Sequence, residues 1–477
     1  MRRLKRLTHG VNELVTKPSI IIPVENQIRE LEPKLLLACI AAQRGYSSII
    51  GSRLEIDFRI ASFPRGLYLS KSMTARSIKM FNIMRKLGHR IAAWDEEALV
   101  HHPPEIYFGR RLSAVALGYI SHLFAWGDDN AELFRQYPDY DGTPIHITGN
   151  PRGDMLRPEL RTYFAAEAEQ WRQRYGSFVL INTNFSQVNA YNPGQNLFLA
   201  PAGSEELRFG RAATGMSAQY VQGLHAYKKA LFEAFQQMIP GLARAFPELN
   251  IVIRVHPVEN PQPYLALAKD YPHLHVINEG NVLPWLMAAQ AVIHNGCTTG
   301  LEAYALGATA ISYRVIVDEE YDGYLAWLPN HLSYQCNHFD QLCEILQSLM
   351  TGAFTMPQDE EKTRLLDRYL MARSGPLACE RMMDRIDTIY QTAESITSPP
   401  LSDRLEGWYL AHKRQLKKNL LARLPQSKYR PEFQRYRYPG ATLDEMRARI
   451  ERFSALLNFT QQFKVEPLHA HIYRISL

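Results

Sequence analysis

Apolar residues in the first 330 positions come in short runs of strand length, separated by stretches where they recur every three or four residues. "SIIIPVE" (19–25) predicts a strand, "LEPKLLLACIAAQRG" (31–45) an amphipathic helix stopped at Gly45, and "SSIIGSR" (47–53) the next strand. The rhythm continues through "GLYLSKS" (66–72), a helix over 74–88, strands "RIAAW" and "HLFAWG" (122–127), and "PIHITGNPRGD" (144–154). A second series starts at "SFVLINTNFS" (177–186). After a polar insertion, 187–216, it runs through helix 217–244, strands 250–257 and 273–280, helix 283–289, strand 291–296, helix 299–306 and strand 308–315. Unbroken apolar runs, rather than alternating ones, mark strands buried on both faces, as in parallel sheets covered by helices.

The expected fold is therefore α/β, with two Rossmann-like doubly wound lobes at 1–155 and 156–330 and a ligand cleft between them at the carboxyl ends of the strands. Beyond them the pattern turns helical, at 338–350, 358–371 and 376–394, so 331–477 reads as a helical extension interrupted by a linker, "SITSPPLSD" (395–403).

Composition narrows the class of protein. At 46% hydrophobic and 21% charged residues the chain is expected to be globular, and no apolar window approaches the length of a membrane span. The basic start, "MRRLKRLTHGVNEL", has no apolar segment behind it, so a cytoplasmic location is expected. Five scattered cysteines lack metal-site spacing, and Asp139-x-Asp141 sits in a turn-like "YPDYDGT", so neither a metal nor another cofactor is expected. A net charge of +6 is too small for this length to argue for nucleic acid. The excess is local: residues 401–440 carry ten Lys or Arg against three acids, interleaved with aromatics. That segment reads as a solvated helix face, as a patch for the anionic surface of an inner membrane, or as a nucleic-acid patch, the last without any recognised RNA or DNA motif.

Chemistry concentrates at strand ends. In "AVIHNGCTTGLEAYALG" (291–307) a strand, a Gly-containing turn and a helix start place Asn295, Thr298 and Thr299 where free backbone N–H groups favour a phosphate. Glu302, one turn on, is placed to accept from a ribose diol, although a plain capped helix would look the same. "IRVHPVEN" (253–260) ends another strand with Arg254, His256 and Pro257; the proline keeps the histidine extended, and the histidine can donate to a phosphate. In the first lobe, "RIAAWDEEAL" (90–99) sets Asp95, Glu96 and Glu97 directly after a strand, where acids ordinarily mark a solvated helix start. Arg110 and Arg111, next to Tyr107 and Phe108, read as surface packing.

The order "YLSKS", "WDEEAL", "GNPRGD", "RVHP", "EGNVLPW" and "HNGCTTGLEAYALG" over about 18–330 resembles the bacterial surface carbohydrate biosynthesis proteins. It is similar in particular to the retaining β-Kdo transferases of GT-B architecture, with their acidic "DEE" and "HP" motifs; Ala98 stands where some relatives have Gly. The resemblance implies transfer of Kdo, or a related ulosonic acid, from a CMP-activated donor to a surface polysaccharide or lipopolysaccharide acceptor. It implies Asp95 as the nucleophile assisted by Glu96 or Glu97, and CMP held by Arg254, His256, Pro257, Asn295, Thr298, Thr299 and Glu302. Lys71 and Ser72 would hold the donor's carboxylate, with Arg152, Asn184 and Ser186 as further donor contacts, although Arg152 at the lobe junction reads equally as an interlobe salt bridge. Partners would be the CMP-sugar and a glycan or lipid-linked glycan, with possible contact to the inner membrane and none to nucleic acid. Rival readings are a CDP-glycerol-type polyol-phosphate transferase, a nucleotide-sugar epimerase, and a non-catalytic glycan-binding assembly protein.

Overall fold

The computed structural model describes residues 18–199, 208–354, 359–392, 398–424, 427 and 429–477. The N-terminal start and residues 395–397 of the expected linker lie outside the described residues, as does part of the 187–216 insertion.

Six parallel strands build the first lobe: β1 (Ser19–Val24), β2 (Ser47–Ser52), β3 (Gly66–Ser70), β4 (Arg90–Ala93), β5 (His122–Ala125) and β6 (Ile145–Ile147). Six more build the second: β7 (Phe178–Asn182), β8 (Asn250–Arg254), β9 (Leu274–Ile277), β10 (Ala291–His294), β11 (Ala310–Tyr313) and β12 (Tyr334–Cys336). A C-terminal hairpin, β13 (Lys464–His469) and β14 (Ile472–Ser476), completes the strands. The central strands are buried along their whole length, which is why their apolar runs are unbroken.

Strand order locates the ligand-binding ends. The second sheet runs β12-β11-β10-β7-β8-β9, which, counted from β7 as one, is the 3-2-1-4-5-6 order of doubly wound folds. Its order reverses between β7 and β10, so the loops after Asn182 and His294 open a crevice there. The first sheet reverses between β1 and β3, which sets Glu25 and Lys71 at the corresponding point. One apolar core cluster extends through both lobes, from Leu36 and Trp94 through Leu160 and Tyr163 to Leu180 and Leu301.

The first helix, Gln27–Gln43, starts four residues earlier than the sequence suggests, because Glu30 accepts from the backbone N–H of Glu25 (2.9 Å) and of Asn26 (3.3 Å) at its open end. It also carries a buried ion pair, Lys34 to Glu30 at 2.8 Å, and Lys34 donates as well to the Pro23 carbonyl.

The stretch after 330 is helical but not only helical. β12 closes the edge of the second sheet, whereas β14 pairs antiparallel with β2 and brings the chain's end back to the first lobe. Gly51 permits that pairing: a Cβ there would lie 2.0 Å from the His471 carbonyl oxygen. Asp154, at the lobe junction, accepts from the backbone N–H groups of Ala378 (2.7 Å) and Cys379 (2.9 Å) and so caps the Ala378–Thr392 helix.

Candidate functional site

The site lies where the carboxyl ends of the two sheets face each other. β4 delivers the acidic triplet, but its three carboxylates do different things. Asp95 is buried, and all its acceptor sites are taken: Tyr107 Oη donates to Oδ2 at 2.7 Å, the Glu97 N–H to Oδ1 at 3.1 Å, and Arg111 closes a bidentate pair through Nε (3.0 Å) and Nη2. This differs from the expectation of a carboxylate open to the cleft, since in this conformation no oxygen is left for a substrate. It also corrects the reading of Arg111 as surface packing. Glu96 is buried and accepts from Trp94 Nε1 at 2.7 Å. Only Glu97 is half-exposed, paired with Arg29 at 2.9 Å. Burial alone would raise its carboxyl, but Arg29, Arg111 and Arg152 outweigh that and hold it at about 2.

Across the gap stands His256, at the end of β8. Its Nδ1 accepts from the Val258 N–H at 3.3 Å, so the proton of the neutral ring sits on Nε2 as a donor. Burial, then the neighbouring Arg29, push the ring down to about 4 against the opposing Glu97. The acidic loop and the "HP" loop therefore meet at Arg29, Glu97 and His256.

Arg254 is more than nine-tenths buried; Nη2 donates to the Gly280 carbonyl at 2.8 Å, while Nε has no partner among the described residues. Burial pushes its guanidinium down to about 10, with Glu302 opposing. A second cation in this state is Lys228, on the Ala218–Ala245 helix: it is buried and has no hydrogen-bond or ion-pair partner among the described residues, and its ammonium lies over the Tyr227 ring at 5.1 Å. Burial lowers it too, against the nearby Asp322 and Cys297. Neither cation has an ion pair among the described residues; Arg254 feels Glu302, on the Thr298–Leu306 helix, and Lys228 feels Cys297, which just precedes that helix. Gly300 lets that helix sit tight on β10, since a Cβ there would approach His294 Nε2 to 2.3 Å. Thr299 Oγ1 contacts Cys297 Sγ at 2.6 Å, and Thr298 is half-buried.

Several expected ligand contacts are instead spent on holding the site together. Glu302, expected to meet a ribose, pairs with Arg152 at 2.7 Å, both about nine-tenths buried, and Arg152 also reaches the Glu96 carbonyl (3.4 Å) and lies over the Trp126 ring (5.5 Å). That pair ties one lobe to the other. Asn295 exchanges two bonds with the Asn184 backbone, at 3.1 and 3.0 Å, and Ser186 Oγ donates to Asn184 Oδ1 at 3.0 Å, so these three brace the loops at the β7–β10 crevice. Lys71, expected to face a sugar carboxylate, pairs with Glu30 (2.7 Å) and Glu25 (3.0 Å) in this conformation. Ser72 follows it in the same loop, its carbonyl accepting from Ser70 Oγ at 2.8 Å. Below the "HP" loop, Glu259 is buried and accepts from Thr183 Oγ1, the Phe185 N–H, Asn189 Nδ2 and Tyr264 Oη, which locks Pro257 and His256 to the β7 loop.

Sequence reasoning missed Arg29, Tyr107, Arg111 and Lys228. Arg111 carried a local signal, sixteen residues from Asp95 and one helical turn after Tyr107; Arg29 and Lys228 carried none.

No family model and no curated protein matches the chain. Solved structures are similar at a distance. A UDP-GlcNAc 2-epimerase from Methanocaldococcus jannaschii, in complex with UDP-GlcNAc and UDP, is 13% identical and covers 78% of this chain and 99% of its own, with a TM-score of 0.42. The wall teichoic acid polymerase TagF is 11% identical, covers 80% of this chain and 90% of its own, and has a TM-score of 0.48. A Neisseria meningitidis UDP-GlcNAc 2-epimerase bound to UDP-GlcNAc is 12% identical and covers 78% of this chain and 100% of its own, with a TM-score of 0.44. Likenesses this distant say nothing of chemistry, which has to come from the site's own residues.

Proposed function

We propose that the chain is an enzyme that grips a nucleotide-activated sugar by its phosphate in the second lobe and transfers the sugar to a glycan acceptor in the cleft. The carrying observation is Arg254 at the carboxyl end of β8, a buried guanidinium with no ion pair and no partner for Nε among the described residues. An unpaired buried charge is costly, and a phosphate beside Arg254 and the Thr298 helix start offsets that cost. His256 supports the same reading, as a neutral ring offering Nε2–H to an anion. Lys228 adds a second buried cation without an ion pair among the described residues.

The finer assignment, a CMP-activated ulosonic acid such as Kdo transferred with retention, rests on the motif order. In that reaction the leaving phosphate needs little acid assistance, and a carboxylate must meet positive charge at the anomeric carbon. Asp95 is the proposed nucleophile: the Arg111 and Tyr107 bonds hold it in place at a strand end, and one of them must open as the donor arrives. A second candidate for that role is Glu97, because it alone of the three reaches the cleft half-exposed, ionised and next to His256.

The experiment is to offer CMP-Kdo and CMP-nonulosonic acids separately, follow CMP release, and search for a sugar adduct by mass spectrometry. An adduct on Asp95 is expected, while one on Glu97 transfers the nucleophile's role there. Arg254→Gln should weaken CMP binding by about 10- to 100-fold, the value of a charge-assisted hydrogen bond. Unchanged affinity in that variant would remove the phosphate site from the second lobe.

A further inference from the structure

The Leu401–Leu421 helix has two faces with different partners. Its inner face is closely fitted to the first lobe: Gly407 approaches Lys86 and Leu87 so tightly that a Cβ would stand 3.0 Å from Lys86 Cβ, and Ala411 is buried. Arg414 pairs with Asp57 at 3.2 Å, and Lys418 lies over the Phe58 ring at 5.6 Å. The helix is thus held by one side in a fixed orientation.

Its outer face is apolar and open. Leu401, Leu405, Trp408, Tyr409, Leu416 and Leu420 are each between 52% and 67% exposed. Spacings of four, three, one, seven and four residues set them along one stripe of the helix. Exposed side chains of this size usually occur singly; six on one helix mark a surface with a use. The Trp408 and His412 rings lie 4.0 Å apart, tilted by 36°, and Lys413 lies over the Tyr409 ring at 5.6 Å, so the aromatic members are amphipathic, the type that favours a boundary between apolar and wet surroundings.

Charge decides what covers this face. From Gly407 to Leu424 there is no acid, and Lys413, Lys417 and Arg423 are exposed along the stripe. A second copy seated on it would bring these cations against their own counterparts, whereas lipid phosphates complement them. Each basic side chain within a Debye length, about 8 Å, of an anionic surface strengthens binding about fivefold. No helix among the described residues is long and apolar enough to cross a membrane, so this face can rest on a bilayer but not span it.

We propose that the outward face of the Leu401–Leu421 helix docks the protein on an anionic lipid bilayer, with the apolar stripe in the headgroup boundary and the lysines on lipid phosphates. The inner face and the following chain relate that surface to the site. Arg414 holds the Arg53–Arg59 helix through Asp57, Arg53 pairs with Glu25 at 2.8 Å, and Arg437, beyond the docking helix, also pairs with Glu25. Ion pairs thus connect the docking helix to Glu25, at the β1–β3 switch point of the first lobe. This holds whatever the donor's nucleotide is.

The test is flotation of the full-length protein with vesicles of phosphatidylcholine alone and with vesicles containing about one-third phosphatidylglycerol. The expected result is binding to the anionic vesicles, weakened by salt. Lys413→Gln with Lys417→Gln should lower that affinity about 25-fold, fivefold per cation removed. Leu416→Asp with Leu420→Asp should lower it at least as much, and thermal unfolding of both double variants should match wild type, because all four positions are exposed. Failure of the wild type to float with anionic vesicles overturns the proposal. So does binding indifferent to both pairs of substitutions, or a concentration-dependent dimer in sedimentation that Leu416→Asp dissolves.

Discussion

Arg111 offers the sharpest test of how the acidic loop is built. Arg111→Gln removes both guanidinium bonds from Asp95, which is 1% exposed, and leaves that carboxylate with Tyr107 and the Glu97 N–H alone. Deleting one partner of a fully buried ion pair costs about 3–5 kcal/mol, because the other charge stays behind. The Arg111 side chain is 27% exposed, so water can enter the vacated space and solvate Asp95 in part, which brings the expectation down to about 2–3 kcal/mol. For a lobe of this size each kcal/mol moves the unfolding midpoint by about 2–4 °C, which gives a drop of about 4–12 °C in calorimetry. Asp95→Asn alone should cost about 1–2 kcal/mol, since the partly exposed guanidinium can turn to water. The double variant no longer carries an unpaired buried charge and should be more stable than the sum of the single effects predicts, by about 1–2 kcal/mol. A strictly additive double variant, or a shift under about 1 °C for Arg111→Gln, would show that the pair does not hold the loop.

Two further outcomes follow from buried titratable groups. Burial pushes the Asp154 carboxyl up to about 6, against its bonds from the Cys379 and Ala378 N–H groups. The folded state therefore binds this proton more tightly than the unfolded chain, and the resulting stability, present below about 4, is lost as pH rises through 6. Urea unfolding at pH 4 and pH 7 should show wild type losing stability over that interval relative to Asp154→Asn; parallel profiles would contradict it. His256, pushed down to about 4 by burial and Arg29, has the opposite dependence: its contribution is complete above about 6.5 and lost as pH falls through 4. Imidazole NMR should give a midpoint near 4 for His256 in the free protein, and a midpoint in the normal range near 6.5 would place the ring in water.

Much of the architecture was legible in the chain because burial of a strand on both faces demands an unbroken apolar run. The runs at 19–25, 177–186 and 250–257 are β1, β7 and β8. The first helix begins earlier than the sequence suggests because a side chain, Glu30, satisfies N–H groups that a local reading leaves open. The C-terminal hairpin escaped because its edge pairing with β2 joins residues more than four hundred positions apart. Site residues divide the same way. Strand ends and turns pointed to the loops at 95, 256 and 298, which depend on local chain geometry. The ionic partners depend on contacts between distant segments, so the pairing of Lys71 with Glu30 and the choice of Glu302 as the interlobe partner of Arg152 could not be read from the chain.

By itself, then, the sequence determined the two α/β lobes and the loops at their strand ends, since periodicity and turn chemistry act between neighbours in the chain. Tertiary structure alone decided which charges are paired and which are left waiting. Arg29 meets Glu97 across 68 positions and Arg152 meets Glu302 across 150, while Arg254 keeps its Nε without a partner among the described residues. A charge's cost in a protein interior depends on what lies within a few ångströms in space, and no order of residues along a chain states that distance.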